Sequence, residues 1–252
     1  MNSEPGPASQ TVEELRRELA QARVAMEDFT YSVSHDLRAS LRHVRAYLKI
    51  LREELGATVD PAIVSHLDTA SGAAAHMGHL MDGLLQLSKV GRAELQLSPV
   101  DLQRLVSDVR HELELDAPTQ RIEWLVAPDL PRVWGDMALL GQMLACLLGN
   151  ALKFTRDVPV AAIDVGWSRN PAGQCELTIR DNGVGFDARL QDRLFRVFQR
   201  LHSSRQFEGI GIGLALARQV VERHGGTIRG RGDLGPGCEI SLTLPIAADA
   251  PA

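Results

Sequence analysis

Phe29-Thr30-Tyr31-Ser32-Val33-Ser34-His35-Asp36-Leu37-Arg38-Ala39-Ser40-Leu41-Arg42 lies inside a long run of apolar residues at helical spacing: Val12, Leu15, Leu19, Ala22, Met26, Phe29, Val33, Leu37, Leu41, Val44, Leu48, Leu51 and Leu55. Steps of three and four place these residues in one stripe on one helix face. The spacing predicts a helix from about Thr11 to Leu55, roughly 65 Å long and too long for a small globular core. His35 falls between Val33 and Leu37 and so points away from the stripe. Four-residue steps recur between Phe29 and Leu41, a departure from the heptad that would disturb coiled-coil packing next to His35. A histidine held on a helix, facing outward between Asp36 and Arg38, could receive a chemical group. On this stretch alone, an ordinary surface histidine fits better.

Gly56 reads as the end of that helix, Asp60 as an N-cap and Pro61 as the first residue of the next. The second helix carries Ile63, Leu67, Ala70, Ala74, Met77, Leu80 or Met81, Leu84 and Leu87 on one stripe. Two stripes joined by a short loop make an antiparallel hairpin, which covers only one side of each seam. The expected solution is a homodimer in which two hairpins form a four-helix bundle.

The composition, 44% hydrophobic and 23% charged, is that of a soluble globular protein, and a net charge of −5 argues against a nucleic-acid surface. No apolar run reaches the ~18–20 residues of a membrane span, and no signal peptide is visible, so a cytoplasmic protein is expected. Cys146, Cys175 and Cys238 are odd in number and widely spaced, which fits reduced thiols better than disulfides or a zinc site. His66, His76 and His79 on the second helix lack the cysteines or acids that would complete a metal site. Residues 1–10 and 247–252 read as disordered tails, 11–90 as the helical dimerisation domain and 91–246 as a second domain.

After Gly91 the pattern changes. Leu95 and Leu97 alternate as a short strand, and Asp101 caps a helix through Leu102, Leu105, Val106 and Val109. Ile122 to Val126 reads as a strand, Pro128 and Pro131 as a turn, and Asp136 as the cap of a strongly apolar helix reaching Leu152. Val160–Trp167 and Cys175–Arg180 read as neighbouring strands. A helix from about Ile210 to His224 ends at Gly225-Gly226, and Thr227–Arg231 and Cys238–Leu244 form a last hairpin. The fold class is α+β: the hairpin, then a two-layer α/β sandwich.

Four groupings in this half bear on chemistry. Asn150-Ala151-Leu152-Lys153-Phe154 offers a neutral amide oxygen suited to Mg²⁺ at Asn150, and Lys153 one turn on, where it could contact a phosphate. Asp181-Asn182-Gly183-Val184-Gly185-Phe186 combines glycines that admit close backbone approach with an acid that could accept from an adenine amino group. Leu194-Phe195-Arg196-Val197-Phe198-Gln199-Arg200 contributes Arg200 as a phosphate clamp. Gly209-Ile210-Gly211-Ile212-Gly213-Leu214-Ala215 presents backbone N–H groups to an anion before a helix, without dinucleotide or P-loop spacing. Alone, each reads as readily as a helix end, a turn, packing residues or a loop.

In this order, behind a helical hairpin with an exposed His-Asp pair, the groupings resemble the catalytic core of bacterial sensor histidine kinases over about Phe29 to Leu244. Phe29–Arg42 is similar to the phosphoacceptor box, Asp136–Phe154 to the asparagine box, and Asp181–Phe186 to the first glycine box. Leu194–Arg200 is similar to the phenylalanine box and Gly209–Ala215 to the second glycine box. The short lid Leu201–Glu208 and the run Tyr31–Arg38 look most like kinases attached to phytochrome-type and PAS/GAF sensors. The resemblance implies the Bergerat ATP-binding fold, shared with gyrase, heat-shock chaperones and mismatch-repair ATPases. It implies His35 as nucleophile and Asp36 as its polarising base, although neighbours on a helix sit roughly 100° apart. It further implies Mg-ATP held by Asn150, Lys153, Phe154, Asp181, Gly183, Gly185, Arg200, Gly209, Gly211, Gly213 and Leu214, with Asn150 on the metal. The partners implied are a response-regulator receiver domain and a sensor domain or separate sensor protein.

Four positions depart from the family pattern. Ala39 stands where Thr or Asn is usual, which predicts weak or absent phosphatase activity. Ser40 stands for Pro, which predicts a more continuous first helix. Cys146 and Ile210 stand where Asn and Thr are common, and they motivate the alternative of a catalytically weak dimeric scaffold that binds regulators.

Overall fold

A computed structural model describes residues 7–55, 60–116, 120–203, 206–233, 235 and 237–247. The chain divides into two compact units between Arg92 and Ala93. In the first, helix α1 spans Pro7–Leu55 and α2 spans Pro61–Arg92. Helix α1 begins four residues before the expected Thr11, so residues 7–10 are helical rather than part of a tail, and Pro7 suits a first helical position. Residues 1–6 and the expected stop at Gly56 lie outside the described residues. Asp60 caps α2 as expected, its Oδ1 accepting from Ala62 N at 2.8 Å.

The apolar stripe of α1 splits in two. Leu41 packs with Ala74 and Met81 of α2, with Leu48 against the cluster, and Ser34 is buried on the same line. Val33, Leu37, Val44 and Leu51 stay exposed, Leu37 at 52% and Val44 at 50%. One facing helix covers one line and leaves the other bare. Three ion pairs, Asp28–Arg92, Arg38–Asp82 and Arg52–Asp68, cross the hairpin among the described residues. The residue numbers in each pair sum to 120, as they must for antiparallel helices of equal rise in a single register. Exposed pairs add little stability, so their role is register.

In the second unit the described residues form a five-stranded sheet, in the order β2 (Ile122–Val126), β4 (Ala161–Arg169), β5 (Cys175–Asp181), β7 (Gly237–Leu244), β6 (Ile228–Asp233). Strands β2 and β4 are parallel, and the other pairings are antiparallel. Helix α4 (Met137–Phe154) packs with α3 (Leu102–Asp116), α5 (Gly213–Arg223) and β5, burying Leu140, Met143, Leu144 and Leu148 completely. By length and composition α4 could cross a membrane, yet here it is a core helix. On the opposite sheet face, Arg180 pairs with Glu239 and Arg229 with Glu176. This is the expected two-layer sandwich.

The expected strand at Leu95 and Leu97 is corrected. Strand β1 is Ser98–Asp101, and it pairs antiparallel with β3, Arg132–Gly135, which follows the Pro128–Pro131 turn. Val100 and Val133, opposite each other, are both fully buried, whereas Leu97 is 45% exposed. Pairing across 30 residues, rather than local alternation, sets this element. Asp101 caps α3 through Arg104 N at 3.0 Å. Helix α5 starts at Gly213, three residues after the expected Ile210. The expected tail at 247 is also corrected: Ala247 is buried and donates to Arg132 O at 3.0 Å, while 248–252 lie outside the described residues.

Asp136 and His224 join α4 to α5. Asp136 Oδ1 caps Leu139 N at 3.1 Å, Oδ2 accepts from Gln96 N, and Asp136 N donates to His224 Nε2 at 3.0 Å. Because Nε2 accepts, the ring proton sits on Nδ1 and donates to Val220 O at 2.7 Å. His224→Ala removes both bonds and orphans a buried N–H. It is expected to cost about 2–3 kcal/mol in urea unfolding.

Candidate active site

Helix α4 and strand β5 end side by side, and their last residues open onto a cavity of about 310 Å³. Ten of the residues expected to hold nucleotide line it: Asn150, Lys153, Phe154, Asp181, Gly185, Arg200, Gly209, Gly211, Gly213 and Leu214. Gly183 lies just behind. A Cβ there would stand 2.5 Å from Phe154 O, so only glycine lets this turn pass under the helix end.

Asp181 is 8% exposed. Its Oδ1 accepts from Gly183 N at 2.9 Å and Cys238 N at 3.3 Å. Burial pushes its pKa up to about 6, the two N–H donors opposing the rise. A buried carboxylate with one oxygen fully bonded has its second oxygen to offer a donor.

Lys153 Nζ donates to Asn150 Oδ1 at 3.1 Å and lies 4.5 Å from the Phe154 ring centre. Burial lowers the Lys153 pKa, Glu208 opposes this, and Arg200 and Arg156 reinforce it. An ammonium so crowded gains from an anion. Asn150 Oδ1 already faces a cation in Lys153, and its neutral oxygen chemistry fits a metal whose charge phosphates balance.

The segment after Arg200 folds against the cavity. Phe154, His202 and Phe207 form a cluster of rings with centroids 5.0–5.4 Å apart, and Phe207 is 4% exposed. Arg200 donates to Phe207 O, so in this state its guanidinium holds the lid backbone. Arg156 pairs with Glu208 at 2.7 Å and lies over the Phe207 ring at 4.8 Å. His202 Nε2 lies 2.9 Å from Gly185 O. Sequence reasoning did not single out His202, Phe207 or Arg156. The one available signal was an isolated phenylalanine in a polar lid.

In the helical unit, His35 is exposed, its side chain at 64%. Nδ1 lies 3.3 Å from Asp36 Oδ1, so the neighbouring side chains do meet, despite pointing roughly 100° apart at their Cα atoms. Among the described residues Nε2 has no hydrogen-bond partner. The Tyr31 ring, one turn earlier, stacks on that of His35 with centroids 6.5 Å apart, and the Arg92 guanidinium lies over Tyr31 at 4.3 Å.

Fold and site together define a protein with two parts, a helical hairpin that exposes His35 beside Asp36 and an α/β sandwich with a cavity at the ends of α4 and β5. Comparison with known families matches residues 25–93 to the His Kinase A (phospho-acceptor) domain. Residues 135–248 match the histidine kinase-, DNA gyrase B-, and HSP90-like ATPase family. The chain belongs to the sensor histidine kinases, as its sequence resemblance implied.

Cyanobacterial phytochrome B of Nostoc sp. is 32% identical over 92% of this chain and 31% of its own length. The methanogenesis regulatory histidine kinase FilI of Methanothrix harundinacea is 32% identical over 90% of this chain and 25% of its own. Full-length ShkA in complex with AMPPNP is 25% identical, with a TM-score of 0.63 over 89% of this chain and 47% of ShkA. The chain spans between a quarter and a third of those two curated relatives.

Proposed function

We propose that this chain binds Mg-ATP, phosphorylates its own His35 and passes the phosphoryl group to an aspartate of a response-regulator receiver domain. The observation that carries this reading is a cavity lined by Asn150, Lys153 and Asp181 in the same chain as a histidine polarised at Nδ1. The ATP-binding fold and the AMPPNP bound by ShkA support the nucleotide. Asp181 would accept from the adenine amino group, and Phe154 would lie along the base. Lys153, Arg200 and the N–H groups of the Gly209–Leu214 turn would neutralise phosphate charge. Asn150 would hold Mg²⁺, which supplies further charge neutralisation when bound.

Asp36 keeps the ring proton on Nδ1, leaving the lone pair on Nε2. Attack by Nε2 on the γ-phosphorus forms the N–P bond. The bond to the β–γ bridging oxygen breaks, and ADP leaves with its electron pair. The positive charge that develops on the ring is met by Asp36.

A homodimer is part of the proposal, supported by the bare line of Val33, Leu37, Val44 and Leu51. So is control by a sensor domain or separate sensor, supported by phytochrome relatives. A cytoplasmic site of action is also part of the proposal, supported by the phytochrome-like relatives.

Ala39 lies one turn beyond His35 and has no group to orient an attacking water. Ala39→Thr is therefore expected to speed dephosphorylation of a phosphorylated receiver domain by roughly tenfold, a single hydrogen bond's worth. Mixing chain, Mg²⁺ and ATP tests the autophosphorylation step: ADP and phosphorylated chain should appear in equal amounts. ADP in large excess over phosphorylated chain marks an ATPase that does not modify histidine. Bound ATP with neither product marks a scaffold.

A further inference from the structure

Arg38 stands one helical turn beyond His35, close to the side on which the histidine projects, and its guanidinium is held by Asp82 of α2. The pair is open to water, with Arg38 39% and Asp82 59% exposed, so the contact can exchange. The other titratable groups within a turn of the pair are His35, Asp36 and Arg42 on α1 and His79 on α2. Asp36 is already engaged with Nδ1 of His35. That leaves Arg38 and Arg42 as the nearby permanent cations, and Arg38 has the shorter separation from His35.

We infer that Arg38 is the counter-cation of phosphorylated His35, and that it passes to the phosphoryl group from Asp82. This rests on the reading that His35 accepts the group. Phosphorylation places up to two negative charges on the oxygens of a phosphoryl group held by Nε2, one turn from a guanidinium whose fork suits those oxygens. Asp82 offers one negative charge from another helix. The dianion outcompetes it, and Asp82 in the resting state keeps the guanidinium ordered and near. Arg92 is committed elsewhere, to Asp28 at 3.0 Å and to the Tyr31 ring. Phosphorylation thereby opens one of the three cross-hairpin ion pairs beside the reacting residue.

The full chain loaded with phosphoramidate, a phosphoryl donor that bypasses the ATP cavity, provides the test. The ³¹P resonance missing from His35→Gln belongs to His35, and its pH titration reports the phosphoryl pKa. Arg38→Gln should raise that pKa by about one unit, a tenfold loss of acidity, and Arg38→Lys should restore most of it. Asp82→Asn removes the competitor and should lower the pKa or leave it unchanged. A merely structural pair predicts that Arg38→Gln and Asp82→Asn move the pKa in the same direction, and that result overturns the inference. An unchanged pKa in Arg38→Gln also overturns it. If ATP never labels His35 while these shifts appear, the kinase reading fails and the role of Arg38 stands.

Discussion

Asp181→Asn is expected to bind ATP roughly 100-fold more weakly while melting about 3 °C higher at pH 7.5. Both effects follow from one buried carboxylate. Its Oδ1 takes two backbone N–H groups, and Asn Oδ1 can take the same two. The second position then presents an amide donor to the adenine amino donor, and binding fails.

Stability moves the other way. The carboxyl pKa in the folded state is about 6, against an ordinary 3.8. A folded-state pKa raised above the unfolded value gives stability that is present below about 4 and lost as pH rises to about 6. The folded state therefore carries a penalty at neutral pH, at most about 3 kcal/mol and less after relaxation. The amide removes it. The gain in melting temperature should shrink as pH falls below about 6 and vanish only well below the ordinary value of 3.8, where the acid is neutral in both states. Adenosine, which has no phosphate to titrate, should bind the natural chain less tightly as pH falls through about 6, because the protonated oxygen becomes a donor. Melting curves and calorimetry at several pH values check each part, and equal melting temperatures at pH 7.5 would contradict the burial argument.

Gly211→Ala is expected to abolish nucleotide binding and destabilise the sandwich by roughly 3 kcal/mol, leaving the helical unit intact. Gly211 has φ +74°, and a Cβ there would lie 2.5 Å from Gln199 O. Its own carbonyl accepts from Phe198 N at 2.9 Å, and Phe198 also has a positive φ, 61°. The two strained turns brace each other at the cavity wall, so neither can retreat from an added methyl. Gly173→Ala is the control. It has φ +79° but nothing within 4 Å, so it should cost about 1 kcal/mol and leave ATP affinity unchanged. Titration calorimetry and urea unfolding of both variants separate strain from contact.

What could be read from the sequence was what is local in it. Asn150 to Phe154, Asp181 to Gly185 and Gly209 to Leu214 are short runs whose spacing shows through without the fold, and the cavity collects them. Strands β1 and β3 were hidden because Val100 and Val133 are defined by each other. The α1 stripe could not reveal its division. Leu41 and Leu48 lie only roughly 40–60° around the helix from Val44, and hydropathy does not say which neighbour covers which line. The ion pairs at 28–92, 38–82 and 52–68 need the register before they exist. Phe207 and His202 join the cavity through ring packing with Phe154, a long-range contact that no local spacing announces. The Nδ1 contact of His35 ran against backbone geometry, since side-chain rotamers close what Cα directions leave open.

Whether His35 takes the γ-phosphoryl group of ATP can be decided by a labelling experiment. The chain and His35→Gln are incubated with Mg²⁺ and ATP labelled in its γ-phosphoryl group, and the protein-bound label is tested for stability. Acid-labile, base-stable label should appear on the natural chain and none on His35→Gln. Equal label on His35→Gln, or no label on a natural chain that binds ATP, would contradict that role for His35.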